Sequence, residues 1–450
     1  MTRRQMKLGL FVEPYGRHVA AWRHPQAAPL AGVNFGYYRD LARLAESAKL
    51  DFLFIADTNN VWEDMEFYAR SDRGAVMDPL QLLAALAVST EQIGLIATTS
   101  TTYTQPFHTA RTFASLDQLS TGRAGWNLVT SMFAGETKNF SFATHMPHGD
   151  RYERAEEYVD VVRGLWSSWD DDAFIQDRES GLFFDPARMR VLNHVGKHFS
   201  VRGPLNVPRS AQGHPVIVQA GSSDPGRELA ARTAEVVFTI QQTLPAMQDF
   251  YADLKGRLPR YGRAPEEMHI MPGCFIMVGQ SEAEAREKYE ALQALVHPRV
   301  GLSLLSNLIG GFDLSGYPLD GPVPELPRTN AGQGHQNTLL DRARREGLTI
   351  RQLYLATVGG RGHWELVGTA EQIADRMEER FLQGGADGFN IMPPHPGALA
   401  DIAALLIPEL QRRGLFRREY EGATLRQKLG LAVPRRDRAT TARTSAGFDP

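Results

Sequence analysis

Short apolar runs alternate along the chain with longer segments whose apolar residues recur at helical spacing. Lys7–Val12 reads as a first strand, and Tyr37–Lys49 as a helix with Leu41, Leu44 and Ala45 on one face. Phe52–Ala56 is apolar throughout, as a strand buried on both faces should be. The same rhythm predicts helix Pro79–Ser89, strand Ile93–Thr98, helix Thr109–Leu119, strand Arg123–Ser131 and helix Arg154–Trp169. It continues with strand Val216–Ala220, helix Arg227–Ala234, strand Val236–Ile240 and helix Ala246–Leu258. Strand Ile270–Val278, helix Thr369–Leu382, strand Gly388–Met392 and helix Ala398–Arg412 close the pattern. Two helix starts carry capping-box pairs, Ser281 with Glu284 and Thr369 with Gln372. Regular alternation of strand and helix implies a parallel sheet. Eight such strands favour closure, so the expected fold is α/β, a (β/α)8 TIM barrel.

Two stretches break the rhythm. Met132–Pro215 holds one helix among many Gly, Pro, Asp and His residues, and His297–Glu365 is rich in Gly and Pro. Long irregular segments inside a compact domain tend to be functional. Loops that follow barrel strands lie on the catalytic face, so both insertions are expected over the active site. The expected organisation is one domain over residues 1–434, with insertions at about 132–215 and 297–365. The tail 435–450 has almost no apolar residues and is expected to be disordered.

Composition narrows the function. The formal net charge is -3 with both signs interspersed, which points away from nucleic acid and acidic membrane surfaces. The N-terminus has no apolar h-region, and no apolar run is long enough to cross a bilayer, so a cytoplasmic protein is expected. Cys274 is the only cysteine, which rules out an intramolecular disulfide and a multi-cysteine zinc site. No glycine fingerprint for a dinucleotide opens a βαβ unit, and there is no P-loop, H-E-x-x-H or G-x-S-x-G. No second ligand is spaced to make a metal site with a histidine, and no metal is expected.

Polar residues gather where strands end: Asp57, Thr98–Thr102, then Asn127, Thr130 and Ser131, then Gln219, Gly221, Ser222 and Ser223. Helix capping explains any one of them equally well. Four strand ends doing so together favour a site at the carboxyl ends of a barrel. The small-residue turn Ala220–Gly226 before a helix offers backbone amides suited to a phosphate. His148 and Tyr152, placed just before the Arg154 helix, are spaced i and i+4 and face one way.

Several ungapped stretches resemble the bacterial luciferase-like flavin-dependent monooxygenases, closest to the large components of nitrilotriacetate, EDTA and dibenzothiophene-sulfone monooxygenases. They are Leu50–Asp57, Ile93–Tyr103, Ala110–Ser131, His148–Tyr152, Val201–Arg209, Pro215–Ser223 and Gly385–Asn390, within a resemblance running from Met6 to Pro434. It implies a two-component enzyme that takes reduced FMN as a diffusible co-substrate from a separate NAD(P)H:FMN reductase. With O2 it would oxygenate a small organic, xenobiotic-type substrate. The family's flavin-binding positions map to Asp57, Thr98, His148, Tyr152, Ser222 and Ser223, with Thr102 an alternative to Thr98. Ser222, Ser223 and Tyr152 are assigned to the phosphate, and Asp57 and Thr98 to the ring side. His148 is assigned to flavin binding and, as the catalytic candidate, to proton transfer. The chain departs from the family in its short acidic Asn59–Asp78 loop, which borders the expected substrate pocket. His297–Glu365 is expected to act as a lid that keeps water out. A homo-oligomer is expected. The alternatives are a deazaflavin-dependent oxidoreductase on the same barrel and a non-catalytic flavin-binding protein.

Overall fold

The computed structural model describes residues 4–434 apart from 61–63, 310, 326–339 and 341–342; the expected disordered tail 435–450 lies outside the described residues. The barrel strands are β1 (Lys7–Phe11), β2 (Phe52–Ile55), β3 (Gly94–Ser100) and β4 (Ala124–Val129), followed by β5 (Val216–Gln219), β6 (Val236–Thr239) and β7 (His269–Val278). After a long insertion come β8 (Trp364–Gly368) and β9 (Gly388–Met392). All pair in parallel, and the ring closes in the order β1-β2-β3-β4-β5-β6-β7-β9-β1.

The pattern missed β8. Cys274 and Phe275 of β7 pair with β8 on one edge and with β9 on the other. β8 therefore continues the edge that β6 occupies lower down, at His269–Pro272. It adds to the ten-residue β7 without taking part in closure.

Alternation sorts the side chains. Leu8, Leu10, Leu53, Ile55, Leu95 and Ala97 face outward into the main core beneath the helices. Phe11, Phe52, Phe54, Ile96, Val216, Val218, Val236, Phe238, Met271 and Met392 fill the interior. The short helix Leu425–Leu429 plugs the amino-terminal mouth, with Leu425, Leu429 and Leu431 joining the interior cluster.

Two boundaries differ from expectation. The helix expected from Arg154 already starts at His148 and runs to Trp166, so His148–Tyr152 is its first turn and not a preceding loop. His297–Glu365 is not plain loop where it is described. Its helices Pro298–Leu308 and Ile350–Val358 form an apolar cluster of their own with Leu305, Leu353 and Tyr354. That cluster includes Val19 and Ala20 from the segment after β1, so the insertion rests on the carboxyl-end side of the barrel. Thr369 and Gln372 make the reciprocal capping box. Ser281 caps Glu284 N–H, but the Glu284 carboxylate takes Gln280 N–H instead of that of the cap residue.

Candidate active site

Beyond β5 the chain turns at Gly221–Ser223 and enters the helix Asp224–Thr233. Ser223 caps that helix, its Oγ accepting from Gly226 N–H at 3.3 Å, while the same Oγ lies 3.5 Å from the Tyr152 hydroxyl. Ser223 thus caps the helix and also lies beside Tyr152. A side chain on Gly221 would put Cβ 3.0 Å from Gly226 Cα and 3.1 Å from the Tyr152 hydroxyl. One on Gly226 would come within 2.9 Å of that hydroxyl. The two glycines therefore keep bare backbone against Tyr152 at the start of the helix Asp224–Thr233. Such a cradle fits an anionic group of phosphate size.

Tyr152 is buried and His148 is exposed, with ring centroids 4.9 Å apart on the face that their spacing requires. Ser222 is exposed, its carbonyl accepting from Arg227 Nε at 3.0 Å. Tyr152, His148 and Ser223 are thus brought together, with Ser222 adjacent.

Thr98 takes a different position, inside the barrel wall. Its hydroxyl donates to the Ile55 carbonyl at 2.7 Å and accepts from Asn127 Nδ2 at 2.8 Å. Thr102 is instead tied to the Thr130 carbonyl at 2.8 Å. The Asn127 and Asn390 Oδ1 atoms are buried without a hydrogen-bond partner. Buried polar atoms are rarely left so unless a ligand or water completes them. Asp57 stands half-buried two residues past β2 and caps no helix; Asp78 caps the helix Pro79–Ala87. Burial pushes the Asp57 carboxyl up to about 6; the Thr58 N–H opposes the rise, and Asp78 and Glu136 add to it. At the end of β4, Ser131 Oγ is 2.8 Å from Ser100 Oγ and donates to buried Glu136 at 3.1 Å. Among the described residues, no group of three His, Cys, Asp or Glu is placed to hold a metal ion.

A barrel whose polar groups converge at the carboxyl ends of β2 to β5, beside a bare-backbone cradle, has the arrangement of a small-molecule enzyme. The chain belongs to the luciferase-like monooxygenase family, whose description matches residues 17–388. It is 49% identical over 442 residues to nitrilotriacetate monooxygenase component A of Aminobacter aminovorans, covering 96% of this chain and 98% of that one. It is 50% identical over 435 residues to N-acetyl-S-(2-succino)cysteine monooxygenase of Bacillus subtilis (strain 168), with the same coverages. Among solved structures, EDTA monooxygenase from Chelativorans sp. BNC1 superposes with a TM-score of 0.80 at 32% identity, over 95% of this chain and 98% of that one. The chain is a two-component flavin-dependent monooxygenase, a reading the relatives support over the deazaflavin and non-catalytic alternatives. No helix among the described residues is long and apolar enough to cross a membrane.

Reading the sequence for chemistry found the strand-end residues but passed over Glu13, Arg17, Arg73, Arg361 and His363. They come from three separate segments that share no motif.

Proposed function

We propose that this chain is the cytoplasmic oxygenase half of a two-component system. It takes reduced FMN as a diffusible co-substrate from a separate NAD(P)H:FMN reductase and uses O2 to oxygenate a small organic acid. The cradle of Gly221, Ser223, Gly226 and Tyr152 carries this reading. Reduced flavin supplies the chemistry of O2 activation, and the protein supplies binding, orientation and exclusion of water.

In this reading Ser222, Ser223 and Tyr152 hold the phosphate at the positive end of the helix Asp224–Thr233. Thr98 and Asp57 border the ring, with the unpartnered Asn127 Oδ1 beside Thr98 as a further acceptor. His148, exposed at a helix start, is available to bind flavin and pass a proton to or from solvent near neutral pH. Residues 1–434 act as one catalytic unit, assembled as a homo-oligomer, with the insertion after β7 sheltering the site. Two relatives named for acids, nitrilotriacetate and N-acetyl-S-(2-succino)cysteine, make such compounds the first substrates to try.

The test is reconstitution. The purified chain alone should leave NADH and NADPH unoxidised, and should turn over once FMN and any FMN reductase are added. Rapid NADH oxidation by the chain alone would refute the two-component reading.

A further inference from the structure

Five arginine and carboxylate residues meet at the barrel mouth on the β1–β2 side, away from the phosphate cradle. Glu13 lies two residues past β1, and its Oε1 faces Arg17 at 3.1 Å, Arg73 at 3.2 Å and Arg361 at 3.7 Å. Asp72, 3.8 Å from Arg73, is the other carboxylate of the group. Three guanidinium groups against two carboxylates leave one positive charge in excess. Donor capacity is also left over, because Nε of Arg17 and Nε of Arg361 are buried with no hydrogen-bond partner.

The position of this group matters as much as its charge. The Arg17 guanidinium stands 5.5 Å from the Phe11 ring. Phe11, Phe54 and Phe238 make a floor of aromatic rings with centroids 5.4 to 5.7 Å apart inside the barrel. His363 closes the same floor, 5.3 Å from Phe238, over Gly273, where a Cβ would come within 2.4 Å of the imidazole. The backbone is held to present Arg361. That residue adopts φ 49, a left-handed conformation uncommon for a residue with a side chain. Glu365 accepts from Gly360 N–H at 2.7 Å, and Gln242 donates to the Gly362 carbonyl at 3.0 Å, fixing the turn on both sides. Burial pulls the Arg361 guanidinium down to about 10, with Glu13 opposing, which leaves it a desolvated cation at neutral pH.

We propose that Arg17, Arg73 and Arg361 form a carboxylate-binding subsite, and that the substrate is a small organic acid anchored there through an anionic group, over the aromatic floor. The inference rests on the reading above for the place of the flavin, while the anion site stands on its own geometry. Glu13 then acts as an internal stand-in that holds the three guanidinium groups in place and competes with the ligand.

This role for Glu13 gives the test its sign. Binding of nitrilotriacetate, citrate and succinate is measured by calorimetry on the full chain with FMN present, with uncharged nitrilotriacetamide as control. At least one acid should bind and the triamide should not. Arg361→Gln should weaken that acid about tenfold or more, the loss of a charge-assisted bond. Glu13→Gln, which keeps the shape and removes the competitor, should strengthen it several-fold. FMN affinity should stay within about twofold in both variants. Arg73→Gln, at a more exposed position, serves if Arg361→Gln fails to fold by circular dichroism, and should weaken the acid several-fold. The proposal is overturned if none of the acids binds at millimolar concentration, or if Glu13→Gln weakens binding. It is also overturned if Arg361→Gln weakens FMN but not riboflavin, because the cluster would then be the phosphate site. If the unsubstituted chain binds FMN but none of the acids, this subsite alone is refuted; if it binds an acid but not FMN, only the flavin reading is.

Discussion

The two mouths of the barrel are built on opposite terms. At the amino-terminal mouth, Arg426 is 1% exposed and bonds Glu235 through two nitrogens and the His214 carbonyl at 3.1 Å. Arg417 pairs with fully buried Asp51, whose other oxygen accepts Leu8 N–H at 2.6 Å. Lys428 donates to the Gln92 carbonyl at 2.6 Å. Arg417 Nη1 and Asp117 Oδ2 lack partners there, but each belongs to a side chain anchored through other atoms. At the carboxyl-terminal mouth the loose atoms are Asn127 Oδ1, Asn390 Oδ1, Glu13 Oε2 and the Nε atoms of Arg17 and Arg361. Unpartnered polar atoms occur at both ends but are more numerous at the carboxyl-terminal one.

The largest effect that would probe this contrast lies at the closed end. Arg426→Met leaves the half-buried Glu235 carboxylate without its cation and the His214 carbonyl without its donor, and should cost about 3–5 kcal/mol in urea unfolding, with FMN affinity unchanged. A loss below about 1 kcal/mol would erase the distinction between the mouths. At the open end, Ser222→Ala should weaken FMN by about 1.5–3 kcal/mol and leave riboflavin unaffected, with little change in stability. Ser222 is the cleaner choice because Ser223 also caps a helix. Equal weakening of both flavins would move the phosphate elsewhere.

Asp57→Asn should act on stability through pH. The native carboxyl titrates near 6, above the ordinary value of 3.8, so its ionised form is disfavoured by folding. The penalty is absent below pH 3.8, grows as pH rises through 6 and is full above it. The variant should therefore gain about 2 kcal/mol over the parent at pH 8 and almost nothing at pH 4, read from paired thermal melts. A gain independent of pH would mean that folding does not raise the Asp57 carboxyl. A smaller stability effect than at Asp57 is expected from Asn127→Leu, which removes an amide already lacking one partner. Unfolding should shift by less than about 1 kcal/mol while flavin binding falls. A large loss of stability would make Asn127 a structural residue.

How far the sequence spoke depended on whether a feature was local. Phe52–Ile55 was legible because burial on both faces leaves no polar position to confuse the period. Trp364–Gly368 was not, because it pairs only with the outer half of β7 and alternates buried with half-buried residues, Glu365 among them. The start of the helix at His148 was hidden because His-Gly-Asp-Arg offers no apolar stripe and Pro147 no capping side chain. His148 and Tyr152 could be paired by i,i+4 spacing, and the turn after β5 by its small residues. The meeting of Tyr152 with Ser223, across seventy-one positions, is a product of barrel closure. The arginine group is more hidden still, since Arg17, Arg73 and Arg361 lie in separate segments whose adjacency exists only after the ring forms.

The extended β7 has a consequence for how such enzymes diversify. Gly279 N–H bonds the Gly368 carbonyl at 3.1 Å, so β7 and β8 run side by side to their carboxyl ends, and the segment between them leaves and rejoins the sheet within one strand pair. What lies between is a cassette clamped at its base, with β8 lying outside the ring. Lengthening such a segment costs only about 0.6 kcal/mol per doubling in closure entropy. Inheritance can therefore rewrite this segment, Arg361 included, while the barrel strands are copied unchanged.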